Sequence, residues 1–222
     1  MKNKKVVIIG LSNNAKLAAF YFNKDTNYEV VGFAVDKQYK NVEQFYNFPV
    51  FELESLVELF PPNQCDAFIA VGYNEMNTIR EKLYNKVKSL GYLLPNYISP
   101  KCSFLTEENI GDNNLILEDN TIQPFVKIGS NNVLWSGNHI GHDVVIGDHN
   151  FITSHVVISG FTEIKNNCFL GVNATLRDGI KIASKTLIAA GAIVVKDTNE
   201  ADVYLPAKTI LYDKKSDEIK IS

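Results

Sequence analysis

Residues 140–176 read "IGHDVVIGDHNFITSHVVISGFTEIKNNCFLGVNATL" and repeat with a period of six. Ile140, Ile146, Ile152, Ile158, Ile164, Leu170 and Leu176 are evenly spaced. The register extends upstream through Leu134, Ile128, Ile122, Ile116, Ile110 and Phe104 to Ile98, and downstream through Ile182 and Ile188 to Val194. In a chain that is 45% apolar, an unbroken run of this length arises by chance on the order of once in a million trials, so it marks a true repeat. Six is not a multiple of the helical period of about 3.6, and glycine and β-branched residues are frequent, so an α-helix is excluded.

The position two before each apolar hit is small or modest, as at Asn150, Val156, Thr162, Cys168, Ala174, Thr186 and Ala192. Glycine often follows the hit, as at Gly111, Gly129, Gly141, Gly147 and Gly171. The pattern predicts a parallel β-helix: each hexapeptide makes one short strand and a corner, and three close a coil of eighteen residues. Branched side chains stack inside, and each coil completes its neighbour's backbone hydrogen bonds. The span from 98 to 194 makes roughly five coils. Cys102 and Cys168 fall two residues before a hit and are expected to pack inward, while Cys65 lies just before a strand. Three cysteines without a CxxC pair argue against a disulfide framework and against a cysteine–zinc module.

Residues 1–96 follow another rule. "KKVVIIG", "YEVVGFAVD" and "DAFIAVGY" read as strands, and "NNAKLAAFYFNK", "LESLVELF" and "NEMNTIREKLYNKVKSLG" as helices, the last ending at Gly91. This alternation predicts a Rossmann-like α/β domain with a parallel sheet, whose ligands bind at the carboxyl ends of the strands. The candidates there are Gly10 to Asn14, Asp36 and the segment Gly72 to Asn74. The expected organisation is therefore an α/β domain over 1–96 and an all-β parallel β-helix over 97–222. A net charge of −3 gives no reason to expect nucleic acid or an anionic membrane surface as partner. No apolar run approaches the roughly 20 residues of a membrane span. The start "MKNKKVVIIGLSNN" has an apolar run shorter than the roughly 7–15 residues of a signal core, reads better as a first strand, and leaves a cytoplasmic location as the default.

Across nearly its whole length the chain resembles the bacterial sugar O-acyltransferase/sialic acid O-acetyltransferase family. The resemblance is carried by "VVIIGLSNNAK", "AVGYNEMNTIR", "IGHDVVIGD", "ISGFTEIKNNCFLGVNATLRDGI", "IAAGAIVVKD" and "LPAK". That family includes nucleotide-linked amino-sugar N-acetyltransferases. The resemblance implies a left-handed β-helix, a homotrimer with acetyl-CoA between neighbouring subunits, and a nucleotide held by the α/β domain. It implies that Gly160, Gly171, Val172, Ala190 and Gly191 lie along the path of the cofactor. The first turn departs from the family: "GLSNNAK" has the single Gly10, so a backbone-only phosphate cradle is not supported. Ser12 and Asn13, at a helix N-terminus, can still donate to an anion or a base. Asp36 can accept from a ribose hydroxyl or a base N–H. Asn74 and Arg80 follow the third strand, where a nucleotide could sit.

All four histidines, His139, His142, His149 and His155, fall within seventeen residues, none in the inward register, so each is expected to project from the coil. Zinc needs three or four converging ligands, and spacings of three and seven place these rings around one coil. No metal is expected. His142 lies between Gly141 and Asp143 in the segment that the resemblance marks as catalytic. A neutral imidazole suits removal of a proton from a sugar amine or hydroxyl, and an adjacent carboxylate can fix its tautomer. His142 is thus the candidate general base, Asp143 its orienting acid, and the Gly160 N–H a candidate oxyanion donor. His139 is the rival base, and Asn138 and His139 are possible substrate contacts. The implied activity is acetyl transfer from acetyl-CoA to a nucleotide-linked amino sugar for surface glycans, by direct transfer without an acyl-enzyme. O-acetylation and a non-catalytic trimeric scaffold stay open.

Overall fold

The computed structural model describes residues 2, 4–108, 110–211 and 213–219, so the outer limits of the two expected domains, residues 1 and 222, lie outside the described residues. Strand β1 (Lys4–Ile9) is followed by helix α1 (Asn13–Asp25), β2 (Tyr28–Val35), β3 (Gln44–Phe45) and β4 (Phe48–Glu52). A short helix α2 (Leu56–Leu59), β5 (Cys65–Ile69) and α3 (Thr78–Ser89) complete the α/β part. The sheet order is β3-β4-β2-β1-β5, parallel except for the edge pair β3–β4. The chain leaves β1 for β2 on one side and later returns to β5 on the other. The resulting crevice opens beyond the carboxyl ends of these strands.

Two elements differ from the sequence expectation. Residues 44–52 form an edge hairpin that the strand–helix alternation passes over. Tyr46 and Asn47 close it with φ of 46° and 63°, the left-handed pair that a two-residue type I′ turn needs. The last helix begins only at Thr78 because Glu75, Met76 and Asn77 are left-handed, with φ of 51°, 49° and 64°. Contacts to the second half hold this turn. The Tyr73 ring packs on Phe151 and Phe169, and Asn77 Nδ2 donates to the Cys168 carbonyl at 3.0 Å.

From Tyr97 to Tyr204 the chain is a left-handed parallel β-helix of two-residue strands, each paired with one eighteen residues on, as in Val133↔Phe151, His139↔Val157 and Val145↔Glu163. The first face stacks Tyr97, Leu115, Val133, Phe151, Phe169 and Leu187; the second stacks Ser103, Thr121, His139, Val157, Thr175 and Ile193; the third stacks Lys127, Val145, Glu163 and Lys181. The periodic apolar residues point inward and form one core, from Ile116 to Val194. Cys168 is buried and Cys102 packs against the same core, as their register predicts. At the top the register shortens: Ile188 pairs with Tyr204, since the residue eighteen on is Pro206, which has no N–H for the ladder.

Every sixth residue from Asn113 to Gly191 lies three after an apolar hit and is left-handed, with φ between 55° and 79°. These corners are mostly Asn, Asp, Gly and His, which tolerate that backbone. The exceptions are Phe125, Phe161 and Lys185.

The outer side chains of the first face are covered by the α/β domain. Leu115, Val133 and Phe151 share one apolar cluster with Val6, Ile8, Ala15, Ala18 and Phe22. Each large side chain so buried contributes roughly 1.5–3 kcal/mol, which fixes the domain against this face. Polar bonds set its orientation. Tyr97 donates to Asp25 at 2.8 Å, Tyr21 donates to Glu118 at 2.9 Å, and Asn113 exchanges two bonds with the backbone of Ile69.

Candidate active site

The second and third faces of the β-helix meet at a corner made by residues 123–126, 141–144, 159–162 and 177–180 on successive coils. His142 and Asp143 project from it, both about half exposed. The His142 backbone N–H donates to Gln123 Oε1 at 2.9 Å, and Nδ1 lies 2.9 Å from Asp143 Oδ2. A carboxylate only accepts, so Nδ1 is the donor in this contact, and in the neutral ring Nε2 keeps its lone pair. Asp143 is left-handed (φ 58°), as its corner position requires and aspartate permits. One coil on, the imidazole lies across Gly160. A Cβ built there would fall 3.0 Å from both Cε1 and Nε2. The Gly160 N–H has no acceptor among the described residues. Phe161 meets the His142 ring edge-on, with centroids 4.9 Å apart at 88°. An imidazole held by a carboxylate and a free backbone donor therefore sit side by side.

The other histidines separate. His139 is exposed on the second face between Thr121 and Val157, and its ring has no hydrogen-bond partner among the described residues. His155 is exposed at the corner between the first and second faces, its ring against Gly137. His149 also projects from its coil, but the docked α/β domain covers it. It is buried at the third corner, where Asn131 Nδ2 donates to Nδ1 at 2.8 Å and Tyr84 packs on the ring. Burial pulls its pKa below the usual histidine value.

Two expected substrate contacts are structural instead. Asn138 is buried: Nδ2 donates to the Trp135 carbonyl at 2.6 Å, and Oδ1 accepts from the Val156 N–H at 2.8 Å. It braces the coil beneath His139 and faces no ligand. Arg80 is fully buried in the domain joint, and its guanidinium donates to the carbonyls of Asn131, His149 and Asn150. Burial without a carboxylate partner lowers its pKa to about 9. Both groups are closed to a nucleotide or sugar because the fold buries them.

In the α/β domain a cleft of about 660 Å³ opens at the carboxyl ends of β1 and β2, lined by Gly10, Asp36, Tyr39, Glu75, Lys82 and Lys86 among others. It brings together Gly10 and Asp36 of the expected contacts. Lys86 on α3 pairs with the Asp36 carboxylate. Ser12, Asn13 and Asn74 do not line the cleft. The Ser12 hydroxyl donates to the Ala70 carbonyl at 3.1 Å, while Asn13 and Asn74 are exposed.

Residues 5–87 match the PglD N-terminal domain family, and residues 126–160 match the bacterial transferase hexapeptide family of six repeats. The first match falls on the α/β part and the second within the β-helix. Solved structures share the fold of both parts. The acetyltransferase domain of PglB from Neisseria gonorrhoeae FA1090, in complex with acetyl coenzyme A, superposes with a TM-score of 0.79 at 22% identity, covering 92% of this chain and 100% of that one. PerB from Caulobacter crescentus, in complex with CoA and GDP-perosamine, gives 0.79 at 23% identity over 90% of this chain and 92% of that one. WeeI from Acinetobacter baumannii AYE gives 0.76 at 19% identity over 90% and 96%.

The α/β domain rests on the first face of the β-helix, so the corner carrying His142 is the one opposite it. The cleft and the candidate base thus lie on different sides of one chain. The expected cofactor positions are also divided. Gly160 sits beside His142, whereas Gly171, Val172, Ala190 and Gly191 lie at the corner of His155. Gly171 is buried, and a Cβ there would meet Ala190 N at 2.4 Å, so it serves coil stacking; Val172, Ala190 and Gly191 are exposed. Sequence reasoning missed Gln123 under His142, Lys86 beside Asp36, and Phe161 against the imidazole. Among the described residues no group of three potential metal ligands converges, and no helix is long and apolar enough to cross a membrane.

Proposed function

We propose that this protein is an acetyl-CoA-dependent N-acetyltransferase acting on a nucleotide-linked amino sugar in surface glycan biosynthesis. The observation that carries the reading is the His142–Asp143 pair, with Nδ1 held at 2.9 Å and Nε2 lying across Gly160. The sugar amine attacks the thioester carbonyl, and His142 Nε2 takes the proton that the nitrogen must lose. The carbonyl oxygen becomes an oxyanion within reach of the unpaired Gly160 N–H. Collapse of the intermediate breaks the C–S bond, and the proton returns from His142 to the leaving thiolate. Asp143 orients the ring and stabilises the transient imidazolium. No acyl-enzyme forms. The nucleotide occupies the cleft of Gly10 and Asp36, where the carboxylate accepts from a sugar hydroxyl and Lys82 and Lys86 supply positive charge for phosphate.

Because the cleft and His142 lie on different sides of one chain, the working site forms between copies in a homotrimer. Acetyl-CoA lies in the groove where the exposed second face of one subunit meets its neighbour. The complexes of PglB with acetyl coenzyme A and of PerB with CoA and GDP-perosamine support this assignment of co-substrate and acceptor class. Thiol release from acetyl-CoA, followed with UDP-, dTDP- and GDP-linked amino sugars, tests it. Release with one acceptor and recovery of an alkali-stable amide product are expected. An alkali-labile ester product would mean O-acetylation, and bound acetyl-CoA with no release for any acceptor would contradict the reading.

A further inference from the structure

Two bulky residues occupy backbone positions that disfavour them, and both flank the proposed base. The corner slots from Asn113 to Gly191 are filled mainly by Asn, Asp, Gly and His, but Phe125 and Phe161 hold φ of 67° and 59°. A bulky side chain in the left-handed region is an outlier that persists only when something else selects it. Packing within the chain does not select these two, for they are 60% and 63% exposed. Both belong to the one corner that carries His142, on the coils directly below and above Asp143. At the same slot one coil above Phe161 the residue is Gly179, around which a Cβ would meet nothing within 4 Å. The aromatic pair is therefore bounded by open space above and brackets the catalytic carboxylate.

We infer that Phe125 and Phe161 are the two walls of the acceptor subsite, gripping the pyranose ring of the nucleotide-linked sugar while its amine faces His142 Nε2. The inference rests on the acyltransferase reading and adds to it two positioning residues. Adjacent coils are about 4.8 Å apart, so the two rings leave from levels roughly 9–10 Å apart. The Asp143 side chain rises from the coil between them, so the sugar chair sits at the outer end of the gap, beyond the carboxylate, with an aromatic wall on each side. The C–H faces of a pyranose suit the apolar faces of phenylalanine, and its equatorial polar edge stays free to point at the base. Phe161 already touches the imidazole, so a ring held against it has its substituents beside Nε2.

The test uses the intact protein and the variants Phe125→Asn and Phe161→Asn, chosen because asparagine relieves the left-handed strain. Binding is measured by calorimetry for the nucleotide-linked amino sugar and for its bare nucleoside diphosphate, beside thiol release and light scattering. Each variant is expected to bind the sugar nucleotide about tenfold more weakly and to raise its KM by a similar factor. Affinity for the bare nucleotide, KM for acetyl-CoA and the oligomeric state stay unchanged, and Tm stays level or rises. Phe161→Tyr, which keeps a ring in place, retains near-native affinity. Unchanged sugar affinity in both Asn variants would overturn the inference while leaving the acyltransferase intact. Loss of the oligomer, with sugar binding changed only in step with it, would also overturn it by making the rings subunit contacts. Sugar binding without any thiol release would contradict the activity and still report on the walls.

Discussion

The imidazole of His142 lies so close to Gly160 that a side chain there would crowd it; the nearest ring atoms would be 3.0 Å from a Cβ. Van der Waals contact between carbon atoms needs roughly 3.5–4.0 Å, so Gly160→Ala must move the ring. The corner is exposed and can absorb that shift without unfolding. We expect a fall in kcat of about 10²-fold, the scale of one misplaced acid–base group, with Tm within a few degrees of wild type. Thiol release and thermal unfolding check this pair of outcomes together.

Arg80→Ala should be among the most destabilising single changes. It leaves the buried carbonyls of Asn131 and His149 without a donor, while that of Asn150 keeps the Val133 N–H. Each unsatisfied group costs about 1–3 kcal/mol, so a loss of about 3–5 kcal/mol is expected, seen as a Tm lower by roughly 10 °C. Arg80→Lys should recover only part of it, because one ammonium cannot span the carbonyls that a planar fork reaches. Melting curves of the three proteins decide the matter.

His149 makes the domain joint sensitive to acid. Its pKa is depressed by burial, with Arg80 adding to the depression and Glu81 and Asp148 opposing it; Tyr84 packs on the same ring. In the native joint Nδ1 accepts from Asn131, so the neutral ring is the one that fits. Between the depressed native value and the unfolded value of about 6.5, the unfolded chain binds more protons. Stability therefore rises with pH across that window and is lost as pH falls from about 6.5 towards the native value. His149→Asn, which keeps a left-handed-tolerant polar residue, should flatten this slope in Tm measured from pH 8 to pH 5.

Mixing two inactive variants tests whether the site is shared between subunits. Asp36→Ala removes the carboxylate of the cleft, and His142→Ala removes the base. Co-expressed and randomly assembled, they should regain activity at roughly a quarter of the sites, if each site takes its cleft and its base from different copies. No recovery in a mixed oligomer would place the complete site within one chain.

How much of this was legible in the sequence depended on whether a residue's role is local. The β-helix could be read because an inward Ile every six residues and a left-handed-tolerant residue three later are requirements of each coil alone. The His142–Asp143 contact joins adjacent residues and needed no tertiary information. Asp36 could be placed because the end of a parallel strand is where its sheet opens. Arg80 and His149 could not be read this way, since only the docking of α3 against one corner distinguishes them from similar surface residues. Asn138 was legible and misread: it lies two before Ile140, the inward register that places Cys168, and that position argues for packing rather than binding. Phe125 and Phe161 stand out in the sequence only once the left-handed slot they occupy is known.

The most direct measurement is kcat for thiol release by His142→Ala against wild type, using the sugar nucleotide that wild type accepts and with acetyl-CoA affinity measured on both. A loss of 10²–10⁴-fold with affinity retained is expected of a general base. Turnover within a few-fold of wild type would contradict the assignment and move proton removal to His139 or to the substrate itself.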